Sequence, residues 1–427
     1  MHIVDTRSIA TGIALTCIKT DKHKTGCLSV NMINGLKRDT AALSALLPNV
    51  LRRGSSEHPD MASLSAVLDE LYGTRIEPIV RKKGELQSVG FYVDFPDARF
   101  LPDGDDILEK TFALLGGVLL SPDMPDGMLR PDYVESEKSN LIDDIRATIN
   151  DKRTYSVDRL LKEMCSEEAF GIGRLGDEKD VSEITPELLT AHFEAVISNS
   201  RMEILYCGSA EPDRVESALR PAFDRLPLRN APIPITQVVY YPQTGAPKRV
   251  TESLDISQGK LAIGFRLGKA MKGIPDFPAF IVLNAIYGGC ATSKLFLNVR
   301  EKLSLCYYAS SVIDRNKGVM IVASGVDFAN FDTALSEILT QLDSIKKGDI
   351  EEWELLSAKR AATTSIKAAM DRTGGLEELY FSSVVSAFKY DPKNLCNMIE
   401  AVNMDRIVEA ASEITPDTIF FLDQASV

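Results

Sequence analysis

Histidine is scarce in this 427-residue chain, with four residues at positions 2, 23, 58 and 192. None lies within 20 residues of another, so no helix can offer two of them at i and i+4 to a catalytic zinc ion. Paired-cysteine signals are missing as well. The seven Cys (17, 27, 165, 207, 290, 306, 396) are odd in number and form no CxxC, which argues for reduced, buried thiols and a reducing cytoplasm. A basic excess is also absent: 48 Lys+Arg against 61 Asp+Glu gives −13, opposing nucleic acid and anionic membrane surfaces as partners. No 18-residue uncharged apolar run occurs, and MHIVDTRSIATGIALT has no basic segment ahead of an apolar one. Membrane spanning and export are therefore not expected. No GxSxG elbow or P-loop is present, and GGCATS (288–293) reads as a structural turn. Ser293, Ser304 and Ser310 have no nearby His to activate them.

What is present describes a folded protein. Hydrophobic residues make up 44% and charged residues 26%, close to globular averages, and the length allows roughly two to four domains. Ile13–Lys19 and Cys27–Ile33 read as strands of a hairpin across DKHKTG. Leu43, Leu46, Leu47, Val50 and Leu51 form the stripe of a core-facing helix, in which Pro48 should cause a kink or loosen the bond to the Ser44 carbonyl. Asp60 suits the N-cap of a helix over 61–72, and two strands (75–81, 87–95) flank the turn KKGE. Helices are expected over 107–119, from Pro131 to 150, over 156–166 and over 186–196, with RMEILYCG as a strand.

The segment 226–248 holds five Pro and reads as a linker. Beyond it the pattern repeats. SVGFYVDF (88–95) and MIVASGVDF (320–328) both end a strand at Asp-Phe, each followed by an amphipathic helix, and long helices (131–150, 349–371) follow both. ITPELL and ITPDTI each lead toward a closing strand. Two duplicated α+β halves are expected: 1–228, a linker at 229–248, and 249–427.

Two side-chain pairs carry possible chemistry. Glu137 and Asp144, seven apart on the long helix, share one face within roughly 20°. Arg300 and Tyr307, seven apart in LNVREKLSLCYY, offer a planar cation and a hydroxyl to a peptide carbonyl, although the helix should end before Tyr307. A solvated acidic face and simple packing are the plainer readings of the two pairs.

Three stretches resemble the M16 metallopeptidase family, the insulinase, pitrilysin and mitochondrial-processing-peptidase group. YGGCATSKLFLNVREKLSLCYYASS (287–311) is similar to its second-half signature. GDEKDVSEITPELLTAHFEAV (176–196) and LDISQGKLAIGF (254–265) are similar to its first-half closing stretch and second-half opening strand. The resemblance implies tandem α/β sandwich domains, each an antiparallel-rich sheet packed with helices. In active members an HxxEH helix binds zinc, and the matching positions here are Ala45, Pro48 and Asn49, none able to do that work. The third ligand falls on Asp144, while Glu137 is retained. The family's substrate-contacting Arg and Tyr fall on Arg300 and Tyr307.

Some bacterial members divide these parts between two chains. The resemblance therefore implies a subunit without its own metal or catalytic residues, partnered by an HxxEH-bearing sibling that holds the zinc, and binding peptide. A homodimer is the expectation if no sibling exists. The alternative is an interaction or assembly protein with a vestigial chamber.

Overall fold

The computed structural model describes residues 2–102, 105–224, 226, 245–268, 277–386 and 388–425. Of the expected linker, 229–244 lie outside the described residues. The chain opens with strands β1 (Ile3–Ala10), β2 (Ile13–Lys19) and β3 (Thr25–Gly35), then helices α1 (Arg38–Leu51) and α2 (Met61–Glu70). The hairpin β4 (Arg75–Lys83) and β5 (Leu86–Pro96) follows, then α3 (Leu108–Leu120), α4 (Pro131–Ala147) and α5 (Lys152–Met164). Next come α6 (Glu178–Ser182), α7 (Pro186–Asn199), β6 (Arg201–Gly208) and α8 (Pro212–Phe223).

The second half runs β7 (Lys248–Leu254), β8 (Gly259–Arg266), α9 (Phe277–Asn284), β9 (Cys306–Asp314) and β10 (Val319–Val326). It closes with α10 (Phe331–Lys346), α11 (Glu352–Ala369), α12 (Thr373–Val385), α13 (Pro392–Glu400), α14 (Met404–Ser412) and β11 (Thr415–Gln424).

These elements gather into two compact units. The first comprises Met1–Arg146, Ile172–Ile235 and Ala369–Val385. The second comprises Ala147–Gly171, Thr236–Ala368 and Ser386–Val427. Helix α5, which precedes β6 in sequence, thus packs on the second unit's sheet, and α12, near the C-terminus, packs on the first unit's sheet.

The first unit's sheet has the order β1-β2-β6-β3-β5-β4, and the second's is β7-β11-β8-β10-β9. From β2 and β7 onward the two match strand for strand: one parallel pair (β2/β6, β7/β11) followed by antiparallel neighbours. The repeat read from the sequence is thus a repeat of topology, with β1 added at one edge. The hairpin expected for Ile13–Lys19 and Cys27–Ile33 does not form. β6 enters between β2 and β3, because its nearly continuous apolar run, RMEILYCG, buries on both faces and so takes a central place.

In the first unit α1, α3, α7 and α8 cover one face through Leu46, Leu47, Phe112, Leu115, Phe193 and Phe223, all buried. The opposite face is closed by Leu376, Tyr380 and Phe381 of α12. In the second unit Phe280, Leu283, Ile338 and Ile407 fill one face, while Leu160 of α5 meets Ala262, Ile321 and Phe420 on the other.

Local signals behave as their chemistry predicts. Asp60 caps α2 by accepting from the Ser63 amide at 2.8 Å, and Pro131 opens α4. Thr185 caps α7 while Thr415, in the same Ile-Thr-Pro context, begins strand β11, so the tripeptide opens a helix once and a strand once.

Candidate functional site

Helix α1 carries three of the positions singled out above, and its helical span runs on past Pro48 to Leu51, although proline has no N–H to give the Ser44 carbonyl. Ala45 and Pro48 are buried and present no donor atom. Asn49 turns its amide back on its own helix, donating Nδ2 to the Ala45 carbonyl at 3.1 Å. An imidazole does stand beside this helix: His192 of α7, whose Nε2 lies 2.9 Å from Ser44 Oγ. Burial pulls His192 down to about 4, with Asp39 partly opposing the shift.

Glu137 of α4 faces a cation supplied by the chain itself. Arg53, two residues beyond α1, donates Nη1 to Glu137 Oε1 at 2.9 Å, and Asn140 donates to the other oxygen at 3.1 Å. The Arg53 guanidinium also lies 4.9 Å from the centroid of the Tyr133 ring. Asp144, the other carboxylate of the expected pair, is exposed.

This arrangement does not fit a zinc ion. Two positions have no ligand atom, the third spends its amide on the backbone, and the guanidinium on Glu137 would repel a dication. Among the described residues no group of three or more His, Cys, Asp or Glu could hold a metal. In the sequence, only its place just after the helix stripe marks Arg53.

Arg300 and Tyr307 belong to the second unit. Leu295–Lys302 winds with i→i+5 hydrogen bonding, as in Leu303 N–H to the Asn298 carbonyl at 3.1 Å. Such wide turns often occur at functional sites. The helix ends at Lys302, Ser304 turns the chain at φ +52°, and Tyr307 sits in β9, so the two residues occupy different elements as expected. The Arg300 side chain is 41% exposed, with its guanidinium 4.7 Å from the Phe296 ring centroid. Tyr307 is 67% exposed.

The turn GGCATS packs this segment against β9. A Cβ on Gly288 would come within 2.7 Å of the Ser311 amide, so only glycine lets the helix lie against β9. Lys294, just after the turn, is buried and forms an ion pair at 3.1 Å with Glu354 at the start of α11.

A family model described as the peptidase M16 inactive domain matches residues 183–362. The chain is also 33% identical, over 99% of its own length and 98% of the relative's, to a Bacillus subtilis protein named "Probable inactive metalloprotease YmfF". The chain belongs to the M16 peptidase family. Its M16 fold closely resembles the crystal structure of a conserved protein from Enterococcus faecalis V583, with a TM-score of 0.88, 26% identity, and 99% of each chain covered. A peptidase M16 inactive domain from Pseudomonas fluorescens superposes at a TM-score of 0.77 with 16% identity, covering 100% of this chain and 98% of that one.

The chain is thus an M16 peptidase homologue of the inactive kind, built as the two-unit mixed α/β fold that the sequence suggests. Among the described residues no helix is long and apolar enough to cross a membrane.

Proposed function

We propose that this chain is the substrate-binding subunit of a two-chain M16 peptidase, working with an HxxEH-bearing sibling that holds the zinc. The observation that carries this reading is an asymmetry between the units. Where the first would need metal donors it has Ala45, Pro48 and an Arg53–Glu137 ion pair, while the second keeps Arg300 and Tyr307 exposed. A guanidinium and a phenol held on a sheet edge and its adjoining helix suit a peptide carbonyl. They contribute positioning, and charge stabilisation as the carbonyl oxygen becomes an oxyanion.

Mixing the purified chain with its HxxEH sibling is expected to raise hydrolysis of a peptide mixture above the sibling's own rate. Arg300→Ala is expected to remove at least a tenfold share of that gain, about 1.4 kcal/mol of transition-state stabilisation. A full gain with Arg300→Ala sinks the assigned role. Failure of the two chains to associate, with no gain at all, would favour an assembly protein with a vestigial chamber.

A further inference from the structure

Beside Tyr307, the next residue in β9 shows a feature that the Arg300/Tyr307 pair does not use. Tyr308 turns to the sheet face covered by α5, and its ring lies over Gly325 of β10, where a Cβ would come within 2.6 Å of Cε1. Gly325 stands opposite both Tyr308 and Lys260 in the sheet register, so one row runs β8, β10, β9 beneath the ring. The Tyr308 hydroxyl is closed off from solvent and has no hydrogen-bond partner among the described residues. A buried hydroxyl left in that state is costly until a partner arrives.

Two cations stand over the same ring. The Arg153 guanidinium, from the first turn of α5, is 4.6 Å from its centroid, and Lys260 Nζ is 5.9 Å away. Arg153 donates to Ser310 Oγ at 2.7 Å, and Lys260 donates to the Gln258 side-chain carbonyl. Neither cation has a carboxylate within ion-pair distance among the described residues. Asp151, whose charge acts on Lys260, uses its carboxylate to cap α5, accepting from the Arg153 and Thr154 amides at 3.1 and 3.2 Å. Burial lowers Lys260, with Asp151 opposing, and raises Tyr308 to about 12, which keeps its proton available for donation. In a chain of net charge −13, two cations without a contacting carboxylate beside an unsatisfied donor need an explanation.

We propose that Arg153, Lys260 and the Tyr308 hydroxyl form a carboxylate-binding subsite that receives a carboxylate of a bound peptide next to Tyr307. This rests on the peptide-binding reading above. Two cationic donors and a phenol match the acceptor lone pairs of one carboxylate, and Arg153, exposed at the rim, can move aside to admit it. The carboxylate can come from a peptide C-terminus or from an Asp or Glu side chain.

The test uses the immobilised full-length chain and an N-acetylated random octapeptide mixture made twice, with free C-termini and with amidated ones. Retained peptides are identified by mass spectrometry. Free-acid peptides are expected to be retained about tenfold better than amides lacking Asp and Glu. The Arg153→Gln/Lys260→Gln double variant is expected to abolish that preference while leaving retention of amides that lack Asp and Glu unchanged. Enrichment of Asp- or Glu-containing sequences among the retained amides would assign the site to side-chain carboxylates.

Tyr308→Phe keeps the ring over Gly325 and should lower the preference about threefold, which keeps the test open if the double variant does not fold. Equal retention of acids and amides, without acidic enrichment, overturns the subsite and leaves the peptide-binding reading standing. Retention of neither mixture overturns both.

Discussion

His192 shows how a single side chain can change meaning between sequence and structure. In the sequence it is one of four scattered imidazoles, whereas in the fold it is a neutral hydrogen-bond partner of Ser44, tying α7 to α1. Its folded value of about 4 lies below the ordinary 6.5, so the unfolded chain binds more protons between those two values. Its contribution to stability is complete above about pH 6.5 and declines as the pH falls toward 4, by on the order of 2 kcal/mol after allowing for partial exposure. Urea midpoints between pH 7.5 and 4.5 are expected to fall less steeply for His192→Gln than for the unaltered chain. Identical slopes would mean that the imidazole titrates normally. At this scale the sequence exposes what is missing, since Ala45, Pro48 and Asn49 can be read directly, but not what replaces it. Arg53 becomes the counter-charge of Glu137 only when α4 is laid beside the end of α1.

Among the elements, α5 and α12 each join the unit built mostly from the other half of the sequence. α12 has no clear apolar stripe: its run TGGLEELYFSSVV buries Glu377 together with Leu376, Tyr380 and Phe381. The reason lies in the sheet beneath it. Arg81 of β4 grips Glu377 through two bonds of 2.8 and 2.9 Å, and Ser29 of β3 adds a third at 2.5 Å. The second unit repeats the device just after α5, where Glu168 is buried against Arg266 at 2.6 Å and Lys317 at 2.5 Å. Removing one partner of such a pair strands the other charge in a low-dielectric setting. Glu377→Ala is therefore expected to cost about 3–5 kcal/mol in chemical denaturation, and Glu377→Gln clearly less, since the amide still accepts from Ser29. A loss below about 1 kcal/mol for the alanine variant would show that α12 is held by its apolar contacts alone. The strands β4 and β5 and the helices α2 and α4 were legible because their turn, cap and Pro signals are local. The expected β2–β3 hairpin does not form because strand neighbours depend on β6, far along the chain.

For the whole molecule, the donor-poor site on α1 and the Arg53–Glu137 pair predict no specific zinc binding. A ligand that binds the native state raises the unfolding midpoint in a saturable way. Titration of the chelator-treated chain with zinc is expected to produce no such shift, and a saturable rise abolished by Glu137→Gln would overturn that expectation. Composition alone determined the folded class, the acidic balance and the absence of a helical His pair, because these are counts and spacings that no packing can alter. The repeated Asp-Phe strand ends likewise revealed the duplication, since period-2 patterns survive wherever one sheet face is buried. Tertiary structure decided the rest. It determined that β6 and β11 enter their sheets beside strands from the opposite end of each repeat, and that α5 and α12 each close the sheet built from the other half of the sequence. It also set Arg153 and Lys260 over Tyr308. Those pairings depend on charges and apolar faces that meet only after long loops have closed, and no local signal in the chain encodes which distant partner will supply them.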